Sequence, residues 1–145
     1  MKLYVIGKPI KHSLSPIIHN FWINRYSLKT KYEKKEINRN QLSQIIKKIR
    51  LKEIKGINVT LPYKREILSL IDEMSDSAKD CKAINTVFLR KSKIYGDNTD
   101  GKGFVKSCEI GLNFNFQGTK IFLVGAGGSS YGIVSELIKK NVKEI

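Results

Sequence analysis

The chain has 145 residues, with 27 Lys and Arg against 13 Asp and Glu, for a formal charge of +14. With 41% apolar and 9% aromatic residues it has material for a buried core, which excludes wholesale disorder, collagen-like repeats and a coiled coil. The longest charge-free stretch, residues 121–135, is broken by glycines and serines and is too short and too polar to span a bilayer. Only four apolar residues precede Gly7-Lys8-Pro9, which is no signal-peptide core, so a cytoplasmic location is expected. Cys81 and Cys108 lack CxxC spacing or a nearby His pair, and both read as plain thiols with no metal site.

The positive charge is unevenly placed: residues 1–50 hold 12 basic and 2 acidic side chains. Of the basic residues 22 are Lys and only five are Arg, although Arg is the residue suited to bidentate phosphate and base recognition. The excess therefore reads as compositional drift onto solvated Lys faces, with no specific nucleic-acid partner and no membrane partner.

In chain order, residues 3–6 form an apolar run closed by Gly7 and Pro9, a strand. Ser15-Pro16 offers an N-cap followed by proline at the first helical position, and Ile17, Ile18, Phe21 and Trp22 carry an apolar stripe to about Tyr26, a helix. Residues 30–37 make a more polar strand. Asn38 and Gln41 resemble a capping box ahead of a helix whose Leu42, Ile45, Ile46 and Ile49 fall at i, i+3, i+4 and i+7. Residues 56–60 read as a strand running into Pro62, with a helix over 63–71 and a short helical turn over 75–80. Residues 84–89 and 93–95 flank a hairpin turn. A helix over 101–112, a linker over 113–118, a buried-type strand over 120–124 and a helix over 129–140 follow, and residues 142–145 open another strand.

Several segments carry chemistry. In Ser13-Leu14-Ser15-Pro16, two hydroxyls ahead of a helix start could make a carboxylate receptor, but taken alone the motif reads first as simple capping by Ser15. Asn58-Val59-Thr60-Leu61-Pro62-Tyr63-Lys64 gathers an amide, a hydroxyl and an amine where a strand gives way to a helix, the edge at which α/β proteins bind ligands. In the first turn of such a helix the positive dipole end would disfavour the charged form of Lys64 and suit it to proton transfer. Asn85 is polar within an apolar run and needs partners if buried. Residues 96–101, Gly-Asp-Asn-Thr-Asp-Gly, read as a turn with Thr99 or Asp100 as cap. Gly125-Ala126-Gly127-Gly128-Ser129-Ser130 lies between a predicted strand and helix, the context of a dinucleotide loop. His19 is expected to buttress the serine turn.

The order of these motifs, SLSP, HN, NVTLPYK, AINTV, GDNTDGKG and VGAGG, resembles the shikimate dehydrogenase family over essentially the whole chain. The resemblance implies an α/β fold: a three-layer substrate-binding domain with a mostly parallel sheet over residues 1–100, a connecting helix and linker over 101–118, and the first β-α unit of a Rossmann NADP-binding domain over 119–145. It implies reversible NADPH-dependent reduction of 3-dehydroshikimate to shikimate, in the pathway to chorismate and aromatic amino acids. Ser13 and Ser15 would bind the substrate carboxylate, Thr60, Lys64, Asn85 and Asp100 the ring hydroxyls, with Lys64 and Asp100 as the catalytic pair. Gly125, Ala126, Gly127, Gly128 and Ser129 would hold NADP, with no metal, in a monomer or homodimer. The alternatives are a quinate/shikimate dehydrogenase, or a non-catalytic shikimate-binding module. Lys82 stands where the family commonly has Gly, Tyr131 where it has a basic residue, and the chain is about half a family member's length, so that the 145 residues alone are expected to be inactive.

Overall fold

The computed structural model describes residues 2–145. Six strands form one sheet in the order β2-β1-β3-β5-β6-β4, comprising β1 (Lys2–Gly7), β2 (Lys31–Glu36), β3 (Ile54–Val59), β4 (Glu73–Met74), β5 (Thr86–Arg90) and β6 (Lys93–Asp97). The β1–β2, β1–β3 and β4–β6 pairs are parallel and β3–β5 and β5–β6 antiparallel, so the sheet is mixed and mostly parallel. The hairpin between β5 and β6 turns through Lys91 and Ser92, both at positive φ, the backbone a two-residue turn of this hand demands.

Alternation along the strands assigns residues to two layers of helix. Tyr4 and Ile6 of β1 face one core, with Ile57 and Val59 of β3 and Val87 of β5. There they meet α2 (Leu42–Arg50), whose Leu42, Ile45, Ile46 and Ile49 are all buried as their spacing predicts, and Ala78 of α3 (Asp76–Cys81). Leu3 and Val5 point the other way and pack with Tyr32 and with Ile23 of α1 (Ser15–Arg25). Three layers result.

The expected stripe on α1 does not enter the core: Ile17 is 70% exposed and Trp22 46%, with Ile18 and Phe21 between them. Asn20 sets the helix rotation. Its amide donates to the Tyr32 carbonyl (2.8 Å) and accepts from the Tyr32 N–H (3.0 Å), so it satisfies the free backbone groups of edge strand β2 and turns the Asn20 and Ile23 face inward. Ser15 is the first residue of α1, preceded by Leu14 at the cap position without a side-chain cap bond. His19 stacks on the Tyr32 ring at 4.2 Å instead of supporting the serine turn, and burial lowers its pKa.

The helix expected over residues 63–71 is instead a series of turns and a 3-10 helix, Glu66–Leu70. Beyond β6, α4 (Asp100–Gly111) packs on α5 (Ser130–Lys139) around Val105, Phe116 and Leu137. Residues 120–124 form no extended ladder: one parallel bridge joins Lys120 to Glu144, flanked by Ile121 N–H to Glu144 O (2.9 Å) and Lys143 N–H to Thr119 O (2.8 Å). The strand expected to be buried is covered on one face only: Ile121 packs against the Val105, Phe116 and Leu137 cluster, whereas Phe122 is 93% and Val124 87% exposed, because no neighbour covers the face they share. Among the described residues no helix is long and apolar enough to cross a membrane.

Candidate functional site

Sheet topology gathers the site. Since β1 and β3 run parallel and β5 reverses before β6, the carboxyl ends of β1, β3 and β6 and the start of β5 share one edge, where α/β sheets place ligands. The Ser13 and Ser15 loop follows β1 there, Thr60 and Lys64 follow β3, Asn85 immediately precedes β5, and Asp100 opens α4. Backbone bonds sew these exits together: Thr60 N–H to Ile6 O (2.9 Å), Lys8 N–H to Leu61 O (3.0 Å), Ile84 N–H to Lys64 O (2.7 Å) and Asn85 N–H to Asp97 O (3.0 Å).

At the centre Lys64 Nζ donates to Asp100 Oδ2 at 2.6 Å, and the lysine is only 6% exposed. The other carboxylate oxygen accepts from Asn85 Nδ2 (2.8 Å), so both Asp100 oxygens are engaged. Removing one member of such a pair strands a buried charge, typically at a cost of about 3–5 kcal/mol. Asn85, the odd polar residue of its segment, is held on every side: Nδ2 also meets Thr99 Oγ1 (2.9 Å), while Oδ1 accepts from Thr99 N–H (3.1 Å) and Thr86 Oγ1 (2.9 Å). Lys64 sits ahead of a short 3-10 helix instead of inside an α-helix. Its surroundings are set by Asp100 and burial, and the helix-dipole argument does not apply.

The serines form a separate turn, with Ser15 N–H donating to Ser13 Oγ (3.3 Å). They share the sheet edge with Lys64 but not its hydrogen-bond network. Thr60 lies in the same cleft as Lys64, a cavity of ≈ 310 Å³ whose opposite wall is Gly125, Gly127, Gly128 and Ser129. Ala126 lines a larger cavity of ≈ 660 Å³ on the other flank of that loop, against Asp80 and Cys81. Burial, aided weakly by the Asp100 and Asp80 carboxylates, pushes the Cys81 thiol up, so it is no thiolate nucleophile.

The glycine loop fits phosphate groups. Gly125 has φ +108°, and a side-chain carbon added at Gly125 or Gly127 would meet nothing within 4 Å, so the loop leaves open space between the predicted strand and α5, where a phosphate can approach the backbone. Ser130 tightens the turn, its N–H and Oγ both donating to Gly127 O (3.0 and 2.6 Å). Arg65 lies over the Tyr131 ring, 5.5 Å from its centroid, which puts a guanidinium beside the loop at the position whose own residue is not basic.

Two residues of the site carried no individual role in the sequence reading. Asn98, buried, donates to Ala83 O (3.0 Å) and accepts from Asp100 N–H (3.0 Å), which fixes the turn that presents the carboxylate. Asn58 links Tyr32 OH (2.6 Å) to Thr86 Oγ1 (3.0 Å). Burial pushes the Tyr32 phenol up, so it stays a neutral donor. For Asn98 the only sequence signal was its place in the turn motif of residues 96–101, and Asn58 was noted as the amide of its motif without this bridging role.

Fold and edge together define an α/β substrate-binding domain. Residues 5–87 match the family model described as shikimate dehydrogenase substrate binding domain, and the chain belongs to that family. It is 40% identical over 141 residues to the shikimate dehydrogenase (NADP(+)) of Pelagibacter ubique, a match covering 97% of this chain and 53% of that protein. The crystal structure of shikimate dehydrogenase from Aquifex aeolicus superposes with a TM-score of 0.91 at 40% identity, covering 99% of this chain and 54% of that one. The Thermus thermophilus enzyme in complex with shikimate gives 0.90 at 30% identity, covering 99% and 54%. The chain thus spans about half the length of the curated relatives it matches.

Proposed function

We propose that the chain is the substrate-binding portion of an NADP-dependent shikimate dehydrogenase acting in the cytoplasm, with residues 1–100 as the substrate domain, 101–118 as the connection and 119–145 as the opening of the nucleotide domain. The observation that carries this reading is the buried Lys64–Asp100 pair facing a glycine loop across one cleft. A nicotinamide cofactor held by the glycine loop would supply or take up the hydride at C3 of the substrate. Gly125, Gly127, Gly128 and Ser129 would hold its phosphates through the backbone of the loop. Two relatives' names support NADP: the proteins of Pelagibacter ubique and Aquifex aeolicus.

The chain's own residues then divide the work. Ser13 and Ser15 receive the substrate carboxylate, Thr60 bonds a ring hydroxyl, and Asn85 meets another by exchanging its bond to the Thr99 hydroxyl for one to substrate. Lys64, whose ammonium has three N–H donors, spends one on Asp100 and turns another to the oxygen on C3. There it supplies the positive charge and the proton the oxygen needs as the carbonyl is reduced, a role worth about 10²–10⁴-fold. Asp100, anchored by Asn85 and by its own backbone on Asn98, holds the amine in place.

The test is a shikimate titration of the chain followed by NMR. Expected are shifts at Ser13, Thr60, Lys64, Asn85 and Asp100, and at least about a tenfold weaker affinity in Lys64→Ala, as befits loss of a hydrogen bond from a charged group. Absence of binding, or shifts confined to other parts of the sheet, would refute the reading. NADPH-linked turnover of 3-dehydroshikimate is expected to be nil for the 145 residues alone, because near-attack geometry needs the nucleotide held on all sides.

A further inference from the structure

Ser129 occupies the N-cap position of α5, yet its side chain caps nothing in that helix. Serine there ordinarily accepts from a backbone N–H two or three residues on. Its oxygen instead lies 2.9 Å from Lys64 Nζ, across 65 residues of sequence. An ammonium has no acceptor, so Ser129 Oγ accepts, and Lys64 is bound at once by Asp100 at the start of α4 and by Ser129 at the start of α5.

The approach is built into the backbone. A side-chain carbon on Gly101 would fall 2.0 Å from Gly132 O, and one on Gly132 would fall 2.9 Å from Asn98 Oδ1. Only a pair of glycines lets α4 and α5 cross at that distance, and the crossing brings Ser129 to the side of Asp100. Gly128 lies against the lysine stem in the same way, its added carbon 3.2 Å from Leu61 Cδ2 and 3.6 Å from Lys64 Cδ. With two of three N–H groups held by acceptors on different helices, the direction of the third is fixed by tetrahedral geometry.

We propose that Ser129 is a positioning residue: from the glycine loop it aims the free N–H of Lys64 into the cleft, so that loop and lysine act as one unit. The proposal rests on the reading of Lys64 as the group that meets substrate. A ligand that draws the Ser129 hydroxyl into the loop then alters the lysine's hold on substrate, and substrate alters that ligand's affinity by the same factor.

Two measurements test it on the 145-residue chain. The first needs no substrate: with lysine labelled at Cε, and Lys64 assigned by its loss in Lys64→Ala, the Lys64 signal is expected to move in Ser129→Ala and to return in Ser129→Thr, while the other lysines stay in place. An unmoved Lys64 signal in Ser129→Ala overturns the proposal. The second is a double-mutant cycle on shikimate affinity, in which Ser129→Ala weakens binding about three- to tenfold, in the range of coupling between contacting residues. Ser129→Thr restores it, and Ser129→Ala has no effect in the Lys64→Ala background. Equal losses in both backgrounds overturn it. Failure of shikimate to bind any variant strikes the functional reading alone, and the Lys64 signal then decides the role of Ser129.

Discussion

Strand β3 and residues 120–124 are both short apolar runs leading into a loop that lines the Lys64 cleft, and they meet opposite fates. In β3, Ile57 and Val59 are buried between helix α2 and the flanking strands β1 and β5. In 120–124 a single bridge to Glu144 is the whole of the pairing, and Phe122 and Val124 stand in water. Apolar sequence fits a segment for burial, but partners on both edges and both faces accomplish it. The first unit carries its own core, whereas the second is held chiefly where α5 touches α4 and α3.

Substitutions in the two units should respond differently. The largest effect is expected at Ile49, fully buried between α2 and the sheet: Ile49→Ala should cost about 2–5 kcal/mol in urea denaturation, the range for emptying a well-packed site. A loss under about 1 kcal/mol would mean that the first unit does not depend on this core.

Next is Gly101→Ala, which drives a methyl group into the Gly132 carbonyl. Overpacking of this kind costs about 1–3 kcal/mol, and hydrogen exchange should show protection lost in α5 while β1 and β3 keep theirs. Uniform loss through both units would contradict the division drawn between them.

A smaller gain is expected from Lys82→Gly. Lys82 ends α3 in the left-handed conformation, with φ 48° and ψ 42°, which costs an L-residue roughly 1–2 kcal/mol. With the side chain exposed and unpaired among the described residues, the midpoint of denaturation should rise by about 1 kcal/mol equivalent. The smallest change belongs to Phe122→Ser, expected within about 0.5 kcal/mol of the parent chain because the ring is already in solvent.

Much of the first unit was legible because its signals are local. The spacing of Leu42, Ile45, Ile46 and Ile49 fixes which face of α2 is buried, and Gln41 Oε1 does accept from Asn38 N–H (2.8 Å) as the capping spacing foretells. The stripe of α1 misled because apolar periodicity does not say which neighbour exists: Asn20, bonded to the edge strand, outranked Ile17 and Trp22. The helix expected after Pro62 is replaced by turns, since the Lys64 carbonyl bonds to Ile84 N–H, a tertiary demand that no local pattern encodes. At the site, Lys64, Asp100 and Asn85 come together, a juxtaposition implied by the family resemblance and not by any one motif. The contact from Ser129 to Lys64 was not legible, because it depends on two glycines on different helices meeting in space.

The proposed seat of shikimate is the edge where Lys64, Asp100, Asn85 and Thr60 converge. The most direct measurement is a crystal structure of the chain grown with shikimate. The ring is predicted to lie against Lys64 Nζ and Asp100 with its carboxylate at Ser13 and Ser15. Shikimate bound instead in the groove beside His19, Tyr32 and Phe88 on the sheet face, with the Lys64 cleft empty, would contradict it.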